Sequence, residues 1–363
     1  MKNLLLSLTY LITCNVLFSQ SILNVNNTSS GVTTQHTTLA AAVAAAAEGD
    51  IIYLYPSSIS YGPATINKKL TIIGPGYLVA QNPSLEINTY VSNGVIDDIS
   101  FVSGSNGTLI TGVDFNNLSL NGQANIAIVR CKVRQRLIFL NTNNILVEGC
   151  YFEWQSNGWA NNLDNFCNLN ANTNNNNLIV RNNIFHAFDN YSGGCGTNCY
   201  YLDNLNIGSS SNAIVENNIF RDRTHYSNSI VKNNIYLQTT QTSCCANAPI
   251  ANNNAGNSFQ NNILVANQTG LGSTNIINVA EATIFEGWPT QGNRSFDDRY
   301  ILKSGSPAIG AGIGGIDCGV FAGPTPYKLS GIPFVPLIYQ VNAPTTGNAA
   351  TGINVNVKIR ANN

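Results

Sequence analysis

The sequence predicts an all-β chain wound as a solenoid, a stack of coils growing along one axis, with a short helix capping its start and an irregular tail at its end. Three observations carry that expectation. First, three nearly identical octets recur in mid-chain: Leu178-Ile179-Val180-Arg181-Asn182-Asn183-Ile184-Phe185, Ala213-Ile214-Val215-Glu216-Asn217-Asn218-Ile219-Phe220 and Ser229-Ile230-Val231-Lys232-Asn233-Asn234-Ile235-Tyr236. A weaker copy spans 258–264. Each reads as a short strand, a two-Asn bend and a second short strand, a unit that buries its apolar face only against its neighbours. Second, Val129 and Val147 line up with Val180, Val215, Val231 and Phe259, at steps of about 18, 33, 35, 16 and 28 residues. The short steps fit one bare coil. The long ones carry an inserted loop or a second, degraded coil, and such insertions project from one side, where binding sites sit. Third, Asn makes up about one residue in six. Asn tolerates the left-handed backbone of tight bends better than other non-glycine residues, and stacked amides can hydrogen-bond from coil to coil. The alternation Ile-x-Val-x-Asn-Asn-Ile-Phe is expected to turn Val, Ile and the aromatic inward in like-on-like stacks.

The elements follow in order. Met1-Lys2-Asn3 and the apolar run from Leu4 to Phe18 read as a secretory signal peptide over residues 1–20, too short to span a bilayer. Leu11-Ile12-Thr13-Cys14 has the outline of a lipoprotein box, but Thr before the Cys and the apolar continuation argue for export without lipidation. The chain is thus expected to be secreted or displayed at a cell surface, with no transmembrane segment. Residues 21–323 form the solenoid and its cap. Thr37-Thr38-Leu39 to Gly49 reads as a helix capped by Thr37 or Thr38, with Leu39, Val43 and Ala46 on one face. Placed before the first coil, it covers a sheet end that would otherwise be open. Ile51 to Tyr55, closed by Pro56, and Ile66 to Ile73, closed by Gly74-Pro75-Gly76, read as strands. Ile96–Phe101, Leu109–Phe115, Ile126–Val133 and Ile145–Phe152 follow, bounded by Gly, Asn and Ser. Prolines punctuate the tail, residues 324–363. It ends in the two-residue alternation Gly352–Arg360, an amphipathic strand that either packs back along the solenoid or pairs with another protein's sheet edge.

The helix, the Gly49-Asp50-Ile51-Ile52-Tyr53-Leu54 strand, the Lys68-Lys69-Leu70-Thr71-Ile72-Ile73-Gly74 stretch and the Asn-Asn-Ile-Phe coils carry a resemblance. Over roughly residues 35–323 the chain resembles right-handed parallel β-helix proteins of the pectate-lyase-like superfamily. Tyr300–Gly312, followed by Ile316–Phe321, resembles the last coil of secreted β-helix proteins of the Bacteroidota type. The resemblance implies a fold rather than an activity, because that superfamily spans lyases, glycosidases, epimerases, adhesins and catalytically silent surface proteins.

Charged residues are only 10% of the chain and the net charge is −1, which argues against nucleic-acid binding. Polysaccharide recognition, through amides, hydroxyls and aromatic rings, remains open. Eight cysteines follow the signal segment, an even number in an exported chain. Cys195 and Cys199, close together in a Gly-rich loop, are the best disulfide candidates. Cys244-Cys245 could bridge or pair elsewhere, and Cys131 and Cys150, on strands, read equally as buried thiols. No metal or cofactor site is expected: Cys195-x3-Cys199 lacks a second ligand pair and the three histidines are scattered.

A lyase would need a cation and a base at the groove, and a glycosidase two or three carboxylates. Neither the pectate-lyase nor the polygalacturonase signature is present. Asp97-Asp98 and Asp297-Asp298 are isolated pairs, the second placed to cap a turn. The best constellation lies in three inserted loops of the central coils. One carries Glu153, Trp154, Trp159, Asp164 and Phe166. The next carries His186, Asp189, Tyr191, Tyr200, Tyr201 and Asp203, and the third Arg221, Asp222, Arg223, His225 and Tyr226. All follow the same bend, so they are expected to share one flank. There the aromatics could stack on sugars, and Arg221, Arg223 and His225 could engage an acidic group. The bland alternative is a satellite core beneath long loops. The expected function is a non-catalytic exported module binding glycan or a partner protein at Trp154, Trp159, Asp189, Tyr191, Tyr200, Tyr201, Asp203, Arg221, Arg223 and His225. The alternatives are a polysaccharide lyase or glycoside hydrolase at the same loops, and a structural surface component docking through its C-terminal strand.

Overall fold

The computed structural model describes residues 20–28, 36–90, 92–153, 167–186, 203–239, 248–253, 256–348, 350 and 352–361. Their strands build two long parallel sheets that face each other along one axis, an all-β parallel solenoid. The first sheet has ten strands, from Ile22–Val25 and Ile51–Leu54 through Asn143–Glu148, Asn176–Arg181, Ala213–Glu216 and Ser229–Lys232 to Ser258–Gln260. The second begins with Ala64–Ile66, Val95–Phe101 and Asp114–Asn121, then forks at the long strand Lys132–Leu140. One branch pairs with the start of that strand: Tyr151–Phe152, Ile184–Phe185, Ile219–Phe220, Ile235–Tyr236 and Ile263–Leu264. The other pairs with its end: Cys167–Thr173, Asp203–Ile207, Arg223–Tyr226 and Ile250–Asn253.

The helix is Leu39–Ala45. Thr38 caps it by accepting the Ala41 amide at 3.2 Å, and it seats Leu39, Ala42 and Val43 in the same core as the first coils. Inside the solenoid, Val147, Val180, Val215, Val231 and Phe259 stack in register as expected. Val129 does not belong to that column. Ile128 pairs with Val147, and Val129 pairs with Glu148 on the outer face. The shift has a backbone cause: Arg130 occupies the left-handed position (φ 51°) that Asn or Gly fills in other coils, so a bend stands where the sequence reads an unbroken strand. Leu109–Phe115 and Ile145–Phe152 are broken likewise, at Gly112 and Gly149. Phe152, Phe185, Phe220 and Tyr236 form an aromatic stack with centroids 4.2, 4.8 and 5.2 Å apart. Such pairs add about 0.5–1.5 kcal/mol each beyond burial.

The two Asn residues of each bend do different work. The second makes a buried ladder. Asn183 Nδ2 donates to Asn218 Oδ1, Asn218 to Asn234, Asn234 to Asn262 and Asn262 to Asn275, each at 2.9–3.0 Å. Each accepting oxygen also takes the backbone N–H of the Asn in the preceding coil. Cys150 continues the column, its N–H donating to Asn183 Oδ1 at 2.8 Å, and Cys131 precedes it. These two, with Cys167 and Cys318, are buried free thiols.

The first Asn is left-handed in every octet, at Asn182, Asn217, Asn233 and Asn261. It fastens a strap. Residues 279–332 do not form a last coil, as the sequence suggested; they lie outside both parallel sheets and run back along the bends. Asn261 Nδ2 donates to Ala311 O, Asn217 to Gly319 O and Asn182 to Val320 O and Ala322 O, at 2.6–3.2 Å. Arg130 Nη1 reaches Ile332 O at 3.0 Å. A consequence corrects the inward-facing expectation for the octet Ile: Ile184, Ile219, Ile235 and Ile263 point outward and are buried under the strap in a second core. Asp297, expected to cap a turn, is instead a fully buried knot. It accepts from Asn82 Nδ2, Ser295 Oγ, Tyr327 OH and the Ser330 amide, tying strap to early coil. Gly331 is required there, since a Cβ would lie 2.1 Å from the Tyr77 ring. The tail strand, Asn356–Arg360, pairs antiparallel with Leu337–Asn342 of its own chain, and that hairpin bonds to Asn88 and Thr89. Among the described residues no helix is long and apolar enough to cross a membrane.

Candidate functional site

The fork in the second sheet is where the long steps of the repeat fall. The Phe152–Phe185–Phe220 stack places the next residues, Glu153, His186 and Arg221, in one column. Their amides donate in turn to Val133 O (3.0 Å), Phe152 O (2.9 Å) and Phe185 O (3.2 Å). Across the fork, Cys167, Asp203 and Arg223 are in register. The described segments end at Glu153 and His186 and resume at Cys167 and Asp203, all on this one flank. The third expected loop, at residues 221–226, is not a loop. Arg221 and Asp222 close the fork directly, and Arg223–Tyr226 is a strand with Thr224 and Tyr226 turned into the core. Of the expected site residues, Trp154, Trp159, Asp189, Tyr191, Tyr200 and Tyr201, together with Cys195 and Cys199, lie outside the described residues, as do Cys244 and Cys245.

The four that are described fall into two neighbouring groups. Asp203, Arg223 and His225 meet on adjacent strands. Asp203 Oδ1 accepts from Arg223 Nε at 2.5 Å and lies 3.1 Å from His225 Nε2, with all three side chains partly buried. His225 continues an outward row with Asn170 and Asn206, whose amides are linked, so polar donors and acceptors extend along this branch.

Arg221 belongs to the second group, which sequence reasoning missed. Its Nη1 donates to His186 O at 3.1 Å, and its guanidinium lies 4.3 Å from the Trp288 ring centre. Arg299 lies 5.2 Å from the same ring. Cation–π contacts of this kind contribute about 0.5–2 kcal/mol each, more when water is excluded. Trp288 Nε1 is anchored by Glu281. His186 Nδ1 is 2.7 Å from Tyr300 OH, and the imidazole stacks on Tyr151 at 5.7 Å. Burial, reinforced by Arg221, Arg299 and Lys132, holds the His186 imidazole well below its usual pKa, so it is neutral at pH 7. Burial likewise lifts the Tyr300 phenol to about 12. Trp288, Arg299 and Tyr300 all come from the strap, more than 60 residues from the coils they meet. The lone Trp288-Pro289 pair was the only local signal that could have drawn attention to them.

Among the described residues, three carboxylates near this flank are each paired with a base. Asp114 is held by Arg134 at 2.6 and 3.0 Å and by Asn93, Glu153 by Lys132, and Asp203 by Arg223. Among the described residues no group of three His, Cys, Asp or Glu donors converges. No protein-family model matches the chain, and no curated protein does. The chemistry of the described flank is therefore read from its own groups: guanidinium, amide and phenol hydrogen bonding beside the Trp288 ring.

Proposed function

We propose that the protein is an exported, non-catalytic module, a right-handed parallel β-helix of the pectate-lyase-like kind, that binds glycan on the flank where its loops emerge. The handedness follows the rule that nearly all crossovers between parallel strands are right-handed. One observation carries the reading: Arg221 stacked on Trp288, on the same flank as the Asp203–Arg223–His225 cluster and the amide row of Asn170 and Asn206. A ring edge, fixed guanidinium donors and amides suit a polyhydroxylated ligand. The pairing of Asp114, Glu153 and Asp203 with bases leaves recognition better served than acid–base chemistry.

The test is a panel of neutral and acidic glycans, read by titration calorimetry and by reducing-end and unsaturated-product assays. Binding without product, weakened at least tenfold in Arg223→Ala and in Trp154→Ala/Trp159→Ala, is the expected result. Product release would instead favour a polysaccharide lyase or glycoside hydrolase, the second reading, for which the Asp203–His225 contact is the supporting observation. Neither binding nor product across the panel would overturn both.

A further inference from the structure

The outward face of the first sheet matches a second copy of itself. Over four successive coils three columns of side chains point away from the core. The middle column is Leu146, Ile179, Ile214 and Ile230, and the column toward the bends is Glu148, Arg181, Glu216 and Lys232. Extending the same registers by one residue gives the third, Asn144, Asn177, Asn212 and Asn228. The charged column alternates in sign and pairs within the chain: Arg181 Nε lies 2.6 Å from Glu148 and its Nη1 3.9 Å from Glu216, while Lys232 Nζ lies 3.0 Å from Glu216. That pairing accounts for the charges but not for the apolar column beside them. Ile214 is 37% exposed and Ile230 46% exposed, in a row whose solvent contact any polar β-former would tolerate better.

We infer that this face pairs with the same face of a second copy, about a two-fold axis lying along the strand direction between the coils of Arg181 and Glu216. The operation reverses the order of coils and keeps each column opposite itself. Glu148 then faces the partner's Lys232, and Arg181 faces the partner's Glu216. Leu146 meets the partner's Ile230, Ile179 meets the partner's Ile214, and amides meet amides. The other two-fold choice, along the solenoid axis, sets the charged column against the Asn column and leaves every charge without an opposite. Only the first arrangement uses all three columns, and an isologous contact of this kind closes as a dimer. Coils repeat every ~4.8 Å, so four of them give a small footprint. Such a contact belongs with weak interfaces of under about 1,200 Å² and forms a concentration-dependent dimer that loosens as salt screens its charges.

Sedimentation of the purified chain from micromolar to submillimolar concentration tests this. The expected result is a monomer–dimer equilibrium, abolished in Ile214→Asp/Ile230→Asp with circular dichroism unchanged. Glu216→Lys/Lys232→Glu sets like charges face to face and should also give a monomer. Inverting all four charges, Glu148→Lys, Arg181→Glu, Glu216→Lys and Lys232→Glu, should restore a homodimer that does not mix with the native chain. A native chain that stays monomeric throughout overturns the inference, including one retained on an insoluble polysaccharide through Ile214 and Ile230. So does a dimer that survives the Ile double variant, or free mixing of the inverted and native chains.

Discussion

Ile214 and Ile219 lie five residues apart in one octet, yet Ile214 is 37% exposed and Ile219 is 1% exposed. Both point away from the interior of the solenoid. The difference is the strap, which covers the bend side and leaves the broad face of the first sheet open. The repeat alone therefore does not define inside and outside. A segment with no repeat of its own decides which outward residues become core. The same division runs through each Asn pair. Asn217 reaches out to the strap at Gly319, whereas Asn218 binds coil to coil.

The sharpest way to break this comparison is Asn218→Ala. It removes the acceptor for the Asn183 amide and side chain, and the donor to Val180 O and Asn234 Oδ1. At about 1–3 kcal/mol for each buried group left unpaired, the loss should reach about 4 kcal/mol in urea unfolding. Ile219→Ala comes next, at about 3 kcal/mol for a large-to-small change in a covered core. Ile214→Ala, the same substitution on the open face, should stay within about 0.5 kcal/mol. Equal effects at the two positions would mean that the strap does not cover the bends in solution. Asn217→Ala should cost about 2 kcal/mol, combining lost strap hydrogen bonds with left-handed strain at a residue with φ 54°. It should also raise protease sensitivity within residues 279–332 while leaving the parallel-sheet signal in circular dichroism intact.

What could be read in the sequence was local. The octets gave their strands and the Val147–Phe259 register, and Thr38 marked the helix start, because period and capping act within a few residues. The early coils were misread for one physical reason. Gly112, Arg130 and Gly149 make the bend that Asn marks elsewhere, and an Arg at a left-handed position looks like ordinary strand. The strap escaped because many of its links run through backbone groups, as at Val320, Gly319 and Ala311, whose carbonyls accept from Asn side chains and leave no sequence pattern. Half of the candidate site was hidden with it. The flank and Arg221 were foreseeable from loop spacing, but Trp288, Arg299 and Tyr300 reach it only through the fold, with 114 residues separating Tyr300 from His186.

The smallest effect is absent at neutral pH and appears only on acidification. His186 sits where strap and coils meet, beneath Tyr300, and is crowded by Arg221 and Arg299. Burial, with those cations, depresses its pKa in the folded state. The unfolded chain takes up a proton near pH 6.5, while the folded chain resists it to lower pH. Unfolding therefore binds a proton in that window. The stability that depends on a neutral His186 is complete above about pH 6.5 and is lost as pH falls from there through the folded value. Thermal unfolding measured from pH 7.5 downward should show a steeper decline for the native chain than for His186→Gln, whose amide keeps a polar contact to Tyr300 without titrating. Because the strap supplies both Tyr300 and Arg299, the acid-sensitive loss should concentrate in hydrogen-exchange protection of residues 279–332 and of Ile184 and Ile219. The open column of Ile214 and Ile230 should keep its protection. Parallel curves for the two proteins, or equal loss on both sides of the octet, would show that the His186 junction does not hold the covered side closed.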